Sequence, residues 1–298
     1  MGLRLGSRSR FGFCALVTAA LLGLGGCAAK KAALWGDPES GLILTYRMPE
    51  KQALSYRFLS DQTQTVEAMG QSVTTESQVT IGFLVQSKGM KENHHLLGLT
   101  IREMKAEIKS PQGPLSPDLS AIIGNGFDMT MTNLGKELEL SGAASIQYDL
   151  GPSGKRNLAS VFQAFFPDLP GRAVKVGDAW TAEDLITDKA EGVEIRIRMK
   201  NEHKLEGFEA VAGLECARIG TAVTGTLEGE GEQQGMRMIF KGDIKGTDTW
   251  YFAYKEGFYV RLVSSASVDG KVEASGLQSM TIPLTQKIKM ETNLLRSE

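Results

Sequence analysis

Apolar residues alternate with polar or charged residues along most of the chain. In the stretch VEIRIRMK, which begins at Val193, each apolar side chain is followed by a charged one. The same alternation recurs in segments 54–59, 79–85, 236–240, 258–262 and 282–290. Because successive side chains of a β-strand point to opposite sides, this pattern predicts antiparallel sheet with one apolar face and one solvated face.

The phase of the alternation changes within one predicted strand. Apolar residues from Leu97 to Ile101 occupy odd positions, whereas those from Met104 to Ile108 occupy even ones. A β-bulge near Arg102-Glu103 would keep both sets on one face. The predicted strands are roughly 10–20 residues long, beyond the usual 3–10. These features predict a mainly β fold: a long-stranded, curved antiparallel sheet or incomplete barrel with one or two short covering helices.

Two segments have helical character. In LASVFQAFF, residues 158–166, the apolar side chains recur at helical spacing. SPDLSAII, residues 116–123, begins with an N-cap serine, a first-turn proline and an early acid, which predicts a second short helix. Both helices are expected to cover the concave side of the sheet.

Several glycine-containing segments are predicted to reverse the chain. Hairpin turns are expected at residues 69–71, 87–89, 133–136, 255–257 and 269–271. The run EGEGE, residues 228–232, alternates carboxylates with glycine. A solvated loop is favoured there over a weak calcium site, because the spacing of an EF-hand loop is missing.

The amino terminus has the three-part pattern of a secretory signal peptide. Basic residues precede an almost purely apolar run from Phe11 to Gly26, which ends in small residues. Leu24-Gly25-Gly26-Cys27 resembles the lipobox of bacterial lipoproteins. The resemblance implies cleavage after Gly26, attachment of a diacylglyceryl group to the Cys27 thiol, and acylation of the new amino terminus. The alternative is a short uncleaved anchor, but the run is shorter than the roughly 20 apolar residues of a spanning helix.

Lipidation would place the chain on a membrane. Stable anchoring generally takes more than one acyl chain, as a multiply acylated Cys27 would provide. Ala28 stands where an aspartate often signals retention at the inner membrane in this family. We therefore expect a bacterial outer membrane, with the protein facing the periplasm. The implied partners of Cys27 are the membrane and the lipoprotein processing and sorting machinery.

The chain is expected to have three parts. These are a signal peptide at 1–26, a lipidated amino terminus and tether at 27–44, and a β-rich body at 45–298. The stretch FPDLPGRAVKVGDAW, residues 166–180, is a connector punctuated by proline and glycine that joins two halves of the body.

Composition excludes some classes of function. The 33 Lys and Arg residues and 35 Asp and Glu residues give a formal net charge of −2, without the basic excess of a nucleic-acid-binding protein. Cys14 lies in the signal segment and Cys27 would be modified, which leaves Cys216 without a disulfide partner. Its apolar neighbours predict a buried small hydrophobic residue.

Motifs for catalysis or metal binding are missing. The three histidines are His94, His95 and His203, and no HExxH, CxxC or GxSxG motif is present. Adjacent His94 and His95 in a strand would point to opposite faces. We therefore expect no catalytic residue, metal site or cofactor. A hydrolase would require a hydroxyl, His203 or His94, and a carboxylate to converge in a pocket.

Two longer segments resemble known families. LPGRAVKVGDAW, residues 169–180, resembles the central motif of an uncharacterised family of bacterial lipoproteins of unknown function. WYFAYKEGFYVRLVSSASV, residues 250–268, is similar to the aromatic hairpin of lipoprotein-localisation proteins of the LolA/LolB type, whose open barrel with a helical lid holds acyl chains. Neither resemblance supplies a catalytic residue.

These observations predict a non-enzymatic, lipid-anchored envelope protein whose curved sheet binds an apolar ligand or lipid-like moiety. The alternative is a structural or assembly lipoprotein that binds another envelope protein through a sheet edge or loop.

The lipidation prediction can be tested by substitution. Cys27→Ser should leave the precursor unprocessed and abolish incorporation of labelled palmitate, because the thiol that accepts the diacylglyceryl group is gone. Cys14→Ser is the control, and it should be processed and labelled like the wild type. Continued labelling of the Cys27→Ser protein would place the lipid elsewhere.

Overall fold

The computed structural model describes residues 35–68, 70–151, 154–190, 192–233, 236–276 and 279–297. Strands account for 72% of the structure and helices for 5%, which confirms a mainly β fold. Among the described residues, no helix has the length and apolar character needed to cross a membrane. Gly26 and Cys27 lie outside the described residues, so lipidation stays a prediction.

Seventeen strands are present in the described part of the chain. In order they are β1 (Gly36–Asp37), β2 (Gly41–Ile43), β3 (Leu54–Ala68), β4 (Gln71–Lys91), β5 (His94–Ser110), β6 (Gly113–Leu115), β7 (Gly126–Thr132), β8 (Glu137–Ser141), β9 (Gln147–Asp149), β10 (Lys155–Asn157), β11 (Ala173–Val174), β12 (Ala179–Ala190), β13 (Val193–Val211), β14 (Leu214–Gln233), β15 (Met236–Ala253), β16 (Phe258–Ser275) and β17 (Met280–Ser297). Helix α1 spans Leu158–Phe162, and 3₁₀ turns span Ser120–Ile122 and Ala143–Ser145.

Most of these strands form one antiparallel sheet, which is curled into a half-barrel as the sequence predicts. The strand order is β12-β13-β14-β15-β16-β17-β3-β4-β5-β7-β8, and β6 pairs with β5. The last strand therefore pairs with the first long strand, with Leu284 opposite Val66. Strands from before and after the 166–180 connector share this sheet.

The predicted β-bulge is confirmed. Gly82 of β4 lies opposite Glu103 of β5, whereas the next residue, Phe83, lies opposite Ile101. Arg102 is thus the extra residue, and it shifts the phase of β5 so that Ile101 and Met104 are both buried.

Three glycine-containing segments that the sequence suggests as turns or loops belong to strands, so those predictions are wrong. Residues 87–89 lie in β4, next to a register irregularity, and the chain reverses later at Glu92-Asn93, where both φ angles are positive. Residues 269–271 lie in β16 and residues 228–232 in β14. In the two latter segments the glycines face the inner side of the curl and the charged residues face outward.

Inner-face glycines allow the sheet to curl. Six of them occur on three neighbouring strands: Gly225, Gly229, Gly231, Gly242, Gly246 and Gly270. A Cβ at Gly225 would overlap the carbonyl oxygen of Arg198 on β13, and one at Gly270 would overlap the carbonyl oxygen of Lys241 on β15. The missing side chains therefore permit the close backbone approach that the curl requires.

Both predicted helices are shorter than the sequence suggests. Helix α1 is capped by the Asn157 side chain, which accepts a hydrogen bond from the Ala159 N–H at 2.9 Å. It ends at Phe162 rather than at residue 166, and Ala164 has a left-handed φ of 57°. In segment 116–123 only the 3₁₀ turn at 120–122 forms, so the predicted N-cap at Ser116 is wrong.

The end of α1 and the turn after it place three phenylalanines on the inner face. Phe162, Phe165 and Phe166, which we term the aromatic plug, are at most 9% exposed. The Phe162 ring lies 5.0 Å from that of Phe83, and the Phe166 ring lies 5.8 Å from that of Tyr259. Such edge-on aromatic pairs add stability beyond their buried area. The plug thus fills one end of the half-barrel with the chain's own side chains.

Substitution of the inner-face glycines tests the origin of the curl. Gly225→Ala should lower the free energy of unfolding by about 1–3 kcal/mol, because the added methyl overpacks against β13. Gly207→Ala is the control, since a Cβ there meets no atom within 4 Å. It should be neutral or stabilising by up to about 1 kcal/mol, through the entropy of the unfolded chain. Equal effects in urea unfolding would contradict the steric explanation.

Candidate functional site

The aromatic plug covers only part of the inner face. Beyond it the long strands continue with apolar inward side chains, which we term the distal face: Ile197, Met199, Val223, Leu227, Phe240, Ile244, Val268, Val272, Ile282, Leu284 and Ile288. Five of these are buried, but they lie outside the main core cluster that contains the plug. The remainder are half-buried.

No described helix covers the distal face. The more extensive contacts of β14, β15, β16 and β17 are with other strands of the same sheet, whereas those of α1 are with β12 and the nearby 3₁₀ turn. The described helices therefore fill one end of the half-barrel only. The other end keeps an apolar surface that is suited to an apolar ligand.

A row of polar side chains separates the plug-filled end from the distal face. Neighbouring strands β13, β14, β15 and β16 place in one row His203, Thr221, Asp248 and Ser264, which we term the polar row. On one side the row borders buried Trp250, and on the other it borders Val223 of the distal face. Buried polar groups need hydrogen-bond partners, so each member of the row has to be accounted for.

Most of the polar row is internally hydrogen-bonded. The Trp250 indole N–H donates to the Thr221 hydroxyl oxygen at 3.0 Å, and that hydroxyl lies 2.8 Å from Nδ1 of His203. Asp248 lies opposite Ser264, and burial raises the pKa of Asp248, with Ser264 acting in the opposite direction. Nε2 of His203 is buried and has no hydrogen-bond partner among the described residues.

The polar row brings a hydroxyl, a histidine and a carboxyl into one line, as a hydrolase would require, but their arrangement differs from a catalytic triad. The nitrogen of His203 that is not bonded to Thr221 has no acid among the described residues to orient it, and Asp248 lies two strands away from His203. Burial lowers the pKa of His203 to about 4, against a smaller opposing effect of Asp184. At neutral pH His203 is therefore uncharged and a weak base.

The two edges of the sheet approach each other at a seam beside the distal face. Nζ of Lys136, in the β7–β8 turn, lies 2.6 Å from a carboxylate oxygen of Asp184 on β12 and donates to the Glu183 carbonyl at 2.7 Å. The Gln163 side chain accepts from the Thr187 N–H at 2.7 Å and donates to the Thr187 carbonyl at 3.3 Å. These contacts occupy two positions on the free edge of β12.

A cleft of about 1060 Å³ opens at the seam, between β8, α1 and strands β12 to β14. Its lining includes Lys136, Glu137, Gln163, Asp184, Met199 and Gly225. Met199 belongs to the distal face, and Gly225 lies opposite Ile244 of that face. The cleft thus leads from a charged rim to apolar side chains.

Two acids at the seam have raised pKa values. Burial raises the pKa of Glu137 to about 8, although its carboxylate accepts a hydrogen bond from the Phe166 N–H at 2.7 Å. Burial also raises the pKa of Asp168 to about 6, with Lys136 acting in the opposite direction. At neutral pH the Glu137 carboxyl is therefore mostly protonated, and the seam carries less negative charge than its composition suggests.

Other residues singled out by sequence serve the fold. His95 is buried, and its Nε2 lies 3.1 Å from the Tyr46 carbonyl oxygen. On the neighbouring strand β7, His95 lies opposite Met131 and His94 lies opposite Thr132. Cys216 is fully buried, as predicted, and burial raises the pKa of its thiol to about 11. Across the described ranges, no group of three or more His, Cys, Asp or Glu side chains could hold a metal ion.

Sequence reasoning missed the polar row, although one local signal was available. His203 is in phase with Ile197 and Met199, and Asp248 is in phase with Phe240 and Ile244. A polar residue in the apolar phase of a strand is placed on the inner face. The partners that give it a role come from other strands and are not visible locally.

Comparison with known proteins adds little to this geometry. No protein-family model matches the chain, and no curated protein matches it. An outer membrane channel from Pseudomonas putida F1 aligns over 83% of this chain and 97% of its own, with 10% identity and a TM-score of 0.27. An exported protein with a YmcC-like fold from Bacteroides fragilis aligns over 86% and 99%, with 9% identity and a TM-score of 0.24. Likeness at this level carries no inference about function.

The raised pKa of Glu137 predicts a pH dependence of stability. A carboxyl whose pKa rises on folding from 4.5 to about 8 stabilises the fold most below pH 4.5, and this contribution is lost as the pH rises towards 8. Glu137→Gln keeps an acceptor for the Phe166 N–H and removes the titration. At pH 8.5 its free energy of unfolding should exceed that of the wild type by about 1–3 kcal/mol.

Urea unfolding between pH 5 and 8.5 measures this difference. Glu139→Gln, on the same strand with an exposed side chain, is the control and should follow the wild-type pH profile. Asp168 titrates in every variant, and because its charge raises the pKa of Glu137, the measured difference includes their mutual repulsion. Parallel pH profiles for wild type and Glu137→Gln would show that Glu137 is not a destabilising buried acid.

Proposed function

We propose that this protein is a lipid-anchored component of the bacterial cell envelope that binds the acyl part of an apolar ligand on its distal face. The observation that carries the proposal is an apolar inner face that continues past the aromatic plug and is left uncovered by the described helices. The lipobox at 24–27 supports the location, because a lipidated Cys27 would keep this face close to a source of acyl chains.

The energetic reason is the cost of leaving such a face in water. Burial of apolar surface contributes about 25 cal/mol per Å², so an acyl chain that covers the distal face gains free energy from both surfaces. Inner-face glycines such as Gly242 and Gly270, which lie opposite each other, remove side chains from the floor of the curl.

A protein partner at the sheet edge is the second candidate. It is less favoured, because Gln163 and Lys136 already bond to Thr187 and Glu183 along the edge of β12. Between them only Leu185, whose side chain is 54% exposed, offers backbone groups at this edge without a described hydrogen bond. The contacts at Glu183 and Thr187 interrupt the continuous main-chain pairing along β12 that strand addition needs.

Photo-labelling of the full-length protein in lipid nanodiscs tests the proposal. Two diazirine-bearing probes of equal chain length are used, a fatty acid and its monoacylglycerol. At least one should label inner-face residues of β17, and Ile288→Asp should reduce that labelling about fivefold or more, because a carboxylate would have to be desolvated beneath the acyl chain. Lys287→Gln, on the outer face of the same strand, should leave labelling unchanged.

The outcomes separate the two candidates. If neither probe labels the distal face, acyl binding is excluded for this site. If, in addition, cross-linking in intact envelopes joins the β12 edge near Leu185 to one stoichiometric protein, the second candidate is supported. Equal loss of labelling in both variants would point to general unfolding and would be detected by circular dichroism.

A further inference from the structure

His203 has one ring nitrogen that the fold leaves without a partner. The side chain is 4% exposed, and its Nε2 is buried with no hydrogen bond among the described residues. An unpaired buried polar group costs free energy unless something else satisfies it. His203 belongs to the polar row, which borders the distal face, so a molecule bound on that face is the candidate partner for Nε2.

The hydrogen bonds around Thr221 determine which kind of partner Nε2 needs. The Thr221 oxygen accepts the Trp250 N–H, and the only described acceptor for the Thr221 O–H is Nδ1 of His203. In a neutral imidazole one nitrogen accepts and the other carries the proton. With Nδ1 accepting, the proton is on Nε2, so the unpaired group is a donor that calls for an acceptor oxygen.

The charges around this donor disfavour an anion. Asp184 on β12 acts on the charge of His203, and Asp248 lies two strands away in the same row. Lys136, the nearby cation at the seam, is already paired with Asp184 at 2.6 Å and faces Asp168 at 3.6 Å. A carboxylate head group would meet acidic neighbours without a free cation to balance it.

We infer, on the basis of the proposed function, that the ligand is an uncharged acyl ester. Its carbonyl oxygen accepts the hydrogen bond of His203 Nε2, and its acyl chain lies along the distal face. From His203 the inner face of β13 continues to Val193, about 33 Å at roughly 3.3 Å per residue, which is long enough for a fatty acyl chain. Free fatty acids and other anionic amphiphiles are disfavoured, because Asp184 and Asp248 lie in register positions on the same side of the sheet as His203.

Competition for the photo-labelled site tests this assignment. Full-length protein in nanodiscs is labelled with whichever diazirine probe reacts at β17, and unlabelled monopalmitoylglycerol or hexadecanesulfonate is added at pH 7.5. The monoacylglycerol should suppress labelling at about tenfold lower concentration than the sulfonate, because only the former satisfies the donor without placing an anion there.

Substitutions of His203 identify the donor. His203→Leu should bring the two competitors to within about threefold of each other, whereas His203→Gln, which retains an N–H donor, should keep most of the preference. His94→Leu is the matched control and should behave like the wild type. If His203→Leu fails to fold, the wild-type competition and the His203→Gln variant still test whether the ligand is uncharged and whether an N–H donor at position 203 binds it.

Each outcome has a distinct meaning. Equal or stronger competition by the sulfonate would overturn the ester assignment while the proposed function stands. An unchanged preference in a folded His203→Leu protein would show that His203 is not the donor. Loss of all labelling in the wild type would remove the proposed function and this inference together.

Discussion

The close approach of strand backbones on the inner side of β14, β15 and β16 is the constraint on which the rest of the structure depends. Glycines such as Gly225 and Gly270 make it possible, because any side chain there would overlap the neighbouring carbonyl group. The resulting curl brings β12 near β8, so that the single side chains of Lys136 and Gln163 reach across the seam. A flatter sheet would separate these edges and leave the aromatic plug without its surroundings.

The same curl divides the inner face into two environments. At one end the plug supplies the aromatic packing that stabilises the fold, and beyond the polar row the apolar side chains lie outside the main core cluster. Stability and the proposed binding thus involve different lengths of the same strands. A substitution at Phe162 and one at Ile288 should therefore affect different properties, although both residues face the same side of the sheet.

Sequence predicts the features that depend on local order and misses those that depend on a neighbouring strand. The alternation and the phase change at Arg102 are local, and both are confirmed. Gly270 lies in Asp-Gly-Lys, which has the composition of a turn. Its place within a strand is explained by the Lys241 carbonyl oxygen of the neighbouring strand, which a side chain at this position would overlap. Likewise, the partners of His203 are Thr221 and Trp250, which come from other strands, so the polar row emerges only when the register is known.

The pairing of β17 with β3 has a consequence for how the chain reaches its fold. The side chains of Gln286 and Gln62 share a hydrogen bond across 224 positions of sequence. Contacts of such long range form slowly, because a large loop has to close first. Hairpins such as β13–β14 can form locally, but β3 keeps one open edge until the last strand arrives. A chain that is synthesised from its amino terminus therefore presents that edge throughout its synthesis, and the half-barrel is completed only when β17 is available.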